Sequence, residues 1–206
     1  MANSRPGGRP SGRKASVQRE TRETKVSVDL DLDGRGRYEV STGIGMLDHL
    51  LEQVARHGLF DLTLRASGDI DRDPHHLVED VGIALGQAFD EALGERRGIV
   101  RFGHAVVPLD EALALVAVDL GGRSYASIEA DFQREMVGEL PTENIGHLLS
   151  ALASAGRLNL HVRLLAGSDA HHMAEAAFKA LARALSVATR IEERGGGEIP
   201  STKDVL

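Results

Sequence analysis

The chain repeats itself. A slide of 96 residues sets Asp73, His75, His76, Glu79, Ala84, Leu85, Ala88 and Ala92 on Asp169, His171, His172, Glu175, Ala180, Leu181, Ala184 and Ala188. Upstream, a slide of 98 sets residues 49–65 (HLLEQVARHGLFDLTLR) on residues 147–163 (HLLSALASAGRLNLHVR), pairing His49 with His147, Gly58 with Gly156 and Arg65 with Arg163. A two-residue difference in a connecting loop reconciles the offsets. A duplication restricts the fold to two copies of one unit, so every motif has to be read twice.

Local patterning says what the unit is. Val26, Val28, Leu30 and Leu32 alternate up to Asp33-Gly34, and Tyr38 and Val40 follow, which reads as a β-hairpin. Leu47, Leu50, Leu51 and Val54 keep a helical period, while Phe60, Leu62 and Leu64 alternate as a strand. Residues 75–93 place Leu77, Val81, Ala84, Leu85, Ala88 and Phe89 on one stripe, with Asp73 expected as N-cap, Pro74 at the first helical position and Gly94 at the stop. Segments 99–107, 113–120 and 123–129 read as strands, and the remainder repeats the first half. The expected fold class is therefore α+β, two copies of one unit at about 17–107 and 108–195.

Composition enters as a filter. No run of about 18 apolar residues spans a bilayer. There is no cysteine, so any metal site must use nitrogen and oxygen donors, and a reducing cytoplasm is the expected compartment. Formal net charge is −7, yet residues 1–16 hold Arg5, Arg9, Arg13 and Lys14 with no acid, leaving −11 for the rest. An acidic body argues against a nucleic-acid surface, and an anionic small substrate would need a local basic pocket. The Gly, Pro, Ser and Arg-rich start reads as a disordered basic tail; a nucleic-acid-binding arm is the sharper alternative for it.

Both copies of the repeat carry HHxxE. On a helix adjacent histidines diverge by about 100°, so His75 and His76 do not chelate one ion well, whereas Glu79 stands one turn from both. The arrangement suits two ions, each taking one histidine of a pair. With His49 and His147, the duplicated set is His49, His75, His76, Glu79, His147, His171, His172 and Glu175. Such donors, with positions left for water or substrate, suit Mn²⁺, Fe²⁺ or Zn²⁺. An exposed polar first turn would explain one HH pair. It does not explain two that keep H, HH and E in step. His57, His104 and His161 lack partnered copies and read as structural.

With these residues set out, the chain resembles the imidazoleglycerol-phosphate dehydratase family from about residue 17 to the C-terminus. The family's LDHML appears as LDHLL (47–51), HHxxED as HHLVED (75–80), RFG at 101–103, HHxxEAxxKAxARAL as HHMAEAAFKALARAL (171–185) and PSTKGxL as PSTKDVL (200–206). Departures are GRSY for GRPY (122–125), GHLL for EHFF (146–149), Gly45-Met46 for Pro-Phe, and Asp204 for glycine. The resemblance implies two halves packed together, each a small sheet backed by two helices (ribosomal protein S5 domain 2-like), a 24-subunit homo-oligomer built from trimers, two Mn²⁺ ions per active site between subunits, and no membrane or nucleic-acid partner. Its ligand positions fall on the same eight residues.

The implied reaction dehydrates D-erythro-imidazole glycerol phosphate to imidazole acetol phosphate in histidine biosynthesis. No carbonyl acidifies the departing proton, and hydroxide leaves poorly. Two ions on the imidazole would favour an imidazolate, whose electrons expel the adjoining hydroxyl; a carboxylate then removes the next carbon's proton. By resemblance that carboxylate is Glu23. Phosphate donors fall on Arg101, Arg123, Lys179, Ser201 and Lys203, with Gln53 near the substrate and residues 196–206 a substrate-binding segment. Lys179 also lies i+4 from Glu175, where a helical ion pair is an alternative explanation. DLDG (31–34) mimics a phosphatase motif but sits at a turn, and RGGGE (194–198) lacks a phosphate loop's lysine and helix. A two-metal phosphate-ester hydrolase and a metal-binding assembly without turnover remain as rivals.

Overall fold

The computed structural model describes residues 12–68, 70 and 72–203. The first half runs β1 (Lys14–Glu20), β2 (Thr24–Asp31), β3 (Tyr38–Ser41), α1 (Gly45–Gly58), β4 (Asp61–Gly68) and α2 (His75–Leu93). The second runs β5 (Phe102–Leu109), β6 (Ala112–Asp119), β7 (Tyr125–Glu129), a two-strand insertion β8 (Met136–Val137) and β9 (Leu140–Pro141), α3 (Thr142–Ala155), β10 (Asn159–Ala166) and α4 (Ala170–Thr189). The sheets have matching orders, β1-β2-β4-β3 and β5-β6-β10-β7, and each has its last-named strand parallel to its neighbour. The α+β duplication read from the sequence is the architecture observed.

Alternation builds the strands. In β2 the side chains of Val26, Val28 and Leu30 are buried while their neighbours face outward, and in β6 Ala112, Ala114, Val116 and Val118 do the same. Helices α2 and α4 cover β1–β2 and β5–β6 respectively, and the helices then pack across the duplication, α2 against α3 and α1 against α4. Burying their apolar stripes against the other half makes one core of two repeats. Gly82 and Gly86 allow the α2–α3 approach: a Cβ would stand 2.6 Å from the carbonyl oxygens of Leu148 and Leu152 respectively.

Four expectations need correcting. The predicted hairpin across Asp33-Gly34 does not form. β1 occupies one edge of β2 and β4 the other, so β3 has no edge of β2 to join and pairs parallel to β4 instead. The 33–37 turn is fastened to the start of β4, where Asp61 Oδ1 accepts from the backbone N–H of Arg35 at 2.7 Å and of Arg37 at 3.0 Å. The tail expected over 1–16 is too long, because Lys14–Ser16 already pair with Asp29–Asp31; its first 11 residues, with Arg5 and Arg9, lie outside the described residues. The second half begins at β5, not at residue 108, since β5 is an edge strand of the second sheet. Helix α2 starts at His75, with Pro74 just outside it.

Helix α1 has no capping side chain at Ile44. Its orphan N–H groups at Gly45 and Met46 donate instead to Glu139 of the β8–β9 turn. The proline usual at position 45 in the resembling pattern would have no N–H to give. Among the described residues no helix is long and apolar enough to cross a membrane.

Candidate metal centre and anion cleft

The cross-packing of helices decides which ligands meet. α1 brings His49 from the first half to His171 and Glu175 on α4 of the second. Glu175 Oε1 lies 2.8 Å from both His49 Nε2 and His171 Nε2, and one donor atom from each residue fits within 4.8 Å of the others. Donors at that spacing surround an ion with bonds of about 2.0–2.2 Å, so the residues fit a transition metal. The complementary pair, α2 and α3, brings His75 to His147 with ring centroids 4.5 Å apart, and half-buried Glu79 lies one turn along α2. His75 Nδ1 also lies 3.3 Å from Oδ1 of buried Asn144, whose Nδ2 has no hydrogen-bond partner among the described residues.

Glu175 is charged by its surroundings. Burial pushes its carboxyl up, but hydrogen bonds from Lys179, His49 and His171 prevail and hold it at about 2. Lys179 Nζ lies 2.5 Å from Glu175 Oε2, the helical ion pair anticipated from the i+4 spacing. Gln53 stands beside the cluster, its Nε2 3.5 Å from His49 Nε2 and its Oε1 3.0 Å from His57 Nε2. His57 is lowered from its ordinary range by burial and by the nearby Lys179 and Arg183 charges.

The 100° step takes His76 and His172 away from these two clusters, His76 exposed and His172 half-buried. His76 Nδ1 meets Glu23 Oε2 at 2.7 Å, and His172 Nδ1 meets Glu111 Oε2 at 2.8 Å. Glu111 is held at about 2 by its His172 hydrogen bond and by backbone N–H groups, and the same bond raises His172. The turn carrying Glu23 is braced from below: Thr21 Oγ1 accepts from the N–H groups of Glu23 and Thr24 at 3.2 and 3.0 Å, and the Thr24 hydroxyl donates to buried Asp80. Asp80 also accepts from Arg19 Nε at 2.7 Å, tying β1 and β2 to α2.

Four of the expected phosphate-binding residues come together elsewhere. Arg101, Arg123, Ser201 and Lys203 line an open cleft of about 660 Å³ with Phe102, Gly121, Pro200 and Thr202. Arg101 is set firmly. Its backbone is left-handed at φ 75°, its Nε and Nη2 meet Asp119 at 2.7 and 3.1 Å, and its Nη1 donates to the Pro200 carbonyl at 2.7 Å. That last bond ties the chain at Pro200 to the residue just before β5. Lys179 and Gln53 stand at the His49 cluster instead, and Asp204 lies outside the described residues.

Sequence reading missed Glu111, Asn144 and Asp119. A signal existed for two of them: a slide of 88 residues lays β5–β6 on β1–β2 and sets Glu111 on Glu23 and Asp119 on Asp31. Asn144 has no matching copy to betray it.

Comparison with known proteins identifies the family. Residues 42–185 match the family model described as imidazoleglycerol-phosphate dehydratase. A Roseiflexus sp. (strain RS-1) protein of that name is 59% identical over 196 residues, covering 95% of this chain and 98% of its own. One from Chloroflexus aggregans is 57% identical over 194 residues, covering 94% and 95%. Among solved structures, the Staphylococcus aureus enzyme superposes with a TM-score of 0.77 at 33% identity, covering 86% of this chain and 99% of its own. A Pyrococcus furiosus relative in complex with (S)-C348 superposes at 0.80 with 36% identity, covering 92% and 100%.

Proposed function

The chain belongs to the imidazoleglycerol-phosphate dehydratase family, hydro-lyases of histidine biosynthesis, and we propose that it converts D-erythro-imidazole glycerol phosphate to imidazole acetol phosphate with two Mn²⁺ ions. The observation that carries this reading is the His49, His171 and Glu175 cluster, drawn from both halves of the duplication. His75, His147 and Glu79 would hold the second ion. Each group of three leaves coordination positions open, and His76 and His172, which lie outside both groups, would complete sites in neighbouring subunits. Exposed apolar residues on the strands, Phe102 at 58% and Tyr125 at 59% among them, support burial in a homo-oligomer, here a 24-mer assembled from trimers. The chain would work in the cytoplasm.

When bound, the ions would lower the pKa of the substrate's ring N–H, so that the deprotonated ring could supply the electrons that expel the adjoining hydroxyl. The chain's own residues do the rest. Arg101, Arg123, Ser201 and Lys203 would fix the phosphate, arginine through its fork and lysine as a point charge. Glu23 would take the proton from the carbon next to the one losing hydroxide, and the resulting enol relaxes to the ketone. Glu23 stands against His76, outside the His49 cluster, so base and outward ligand would enter a neighbour's site as one unit. Lys179 and Gln53 would steady Glu175 and His49.

The test is a product assay. Purified protein with Mn²⁺ should form imidazole acetol phosphate, with loss of turnover in His75→Ala and Glu175→Ala and after chelation. Release of inorganic phosphate would point to the hydrolase, and bound metal with neither product to an assembly without turnover.

A further inference from the structure

Duplication has given the protein two Glu–His pairs that are placed alike but held differently. Glu23 precedes β2 and meets His76; Glu111 precedes β6 and meets His172. Among the described residues the carboxylate of Glu23 contacts His76 alone, and that side chain is 57% exposed. Glu111 is tied down at both oxygens. Its Oε1 accepts from the backbone N–H of Asp169 at 2.8 Å and of Ser168 at 3.2 Å, and its Oε2 meets His172 Nδ1 at 2.8 Å. The Asp169 carboxylate in turn accepts from the N–H groups of His171 and His172 at 2.8 and 3.2 Å. The backbone of His172 is thus fixed by one acid and its ring by another, itself anchored to the same loop.

The chemistry of that bond has a direction. A carboxylate only accepts, so in the neutral ring the proton sits on Nδ1 and the lone pair on Nε2. We propose that Glu111 is a positioning residue that fixes His172 in this tautomer and so keeps the lone pair on Nε2, which faces only the exposed Asp110 carboxylate at 3.8 Å among the described residues, as a metal donor. Glu23, with no main-chain anchor of this kind, keeps the freedom that a proton-abstracting group needs. The inference rests on the two-metal reading of the site and goes beyond it by separating the roles of the two duplicated acids.

A bland alternative is that Glu111 only secures the loop before α4, and Glu111→Gln separates the two. The amide oxygen can keep the bonds from Asp169 and Ser168, which leaves the amide NH₂ facing His172. Nδ1 must then accept, the proton moves to Nε2, and the metal donor is lost. Mn²⁺ affinity, followed by the paramagnetic resonance signal of the free ion, should fall about 10- to 100-fold in Glu111→Gln. In a His172→Ala background the same substitution should have no further effect. Wild-type Mn²⁺ affinity in Glu111→Gln, with or without a lower metal-free midpoint, overturns the proposal. So does an equal loss of affinity in the His172→Ala background. Failure of the unaltered protein to bind Mn²⁺ would be seen first and would sink the two-metal reading itself.

Discussion

Asp80→Ala should weaken the fold and blunt turnover together, because the buried carboxylate joins the turn carrying Glu23 to the helix carrying His75 and His76. Asp80 is 6% exposed and accepts from Arg19 Nε and from the hydroxyl of Thr24, which is itself 3% exposed. Hydrogen bonds to a charged group contribute about 1.5–3 kcal/mol each. The Arg19 bond should fall below that range, because its side chain is 32% exposed and water takes over part of the lost contact. The Thr24 hydroxyl loses less than a full desolvation penalty, since Thr21 Oγ1 remains 2.9 Å away. The net loss is then about 2–4 kcal/mol. At roughly 2–4 °C per kcal/mol for a domain of this size, the melting midpoint of metal-free protein should drop by about 5–15 °C. Below that midpoint, kcat should fall because Glu23 loses its brace, while Mn²⁺ still binds the His49 cluster. Thermal melts and turnover with saturating metal check both parts. A shift under about 1 °C with unchanged kcat would refute the reasoning, since it would mean that water replaces Asp80 without loss.

Other expectations follow from particular contacts. Gly86→Ala should gain about 1 kcal/mol of helix propensity but lose more, because the new methyl meets the Leu152 carbonyl oxygen at 2.6 Å and the Gly156 nitrogen at 2.8 Å; calorimetry should show net destabilisation of about 1–2 kcal/mol. Glu175 ionises at about 2 in the fold against 4.5 ordinarily, so its stabilisation of metal-free protein is complete above about pH 4.5 and is lost as pH falls towards 2. Acid titrations of Glu175→Gln should therefore be flatter than those of the unaltered protein across that window. Arg101→Lys should raise KM about 10- to 100-fold in steady-state assays and not restore the arginine's role, because one ammonium cannot hold Asp119, the Pro200 carbonyl and a phosphate in the same geometry.

How much of this was legible depended on whether a feature was periodic or paired at a distance. The alternation of Val26, Val28 and Leu30 and the stripe from Leu77 to Phe89 report burial on one face, and the structure keeps both. The Asp33-Gly34 turn misled because hairpin chemistry is local whereas strand order is not: β1 claims the edge that a hairpin would have used. The tail boundary failed for a related reason. Lys14–Ser16 look like coil in composition and become strand only because β2 offers them an edge. Asn144 and Asp119 were invisible because their importance lies in what they touch, His75 and Arg101, at separations no short motif records.

The site shows the same limit more sharply, and shows why the duplication did more than double a motif. Reading each half alone groups His49 with His75, His76 and Glu79, as neighbours in one repeat. Packing exchanges them, because α1 buries its stripe against α4 and α2 against α3. His49 therefore joins the HHxxE of the other half, and His147 joins that of the first. Each cluster needs both repeats, so a single copy could not have assembled either one within its own chain. By the same logic, two copies packed as a pair could have done so. The adjacent histidines then follow from geometry: the first of each pair faces the cross-packed helix, and the 100° step turns the second away from it. Paired with Glu23 and Glu111, those second rings are what one subunit would offer another in the proposed assembly.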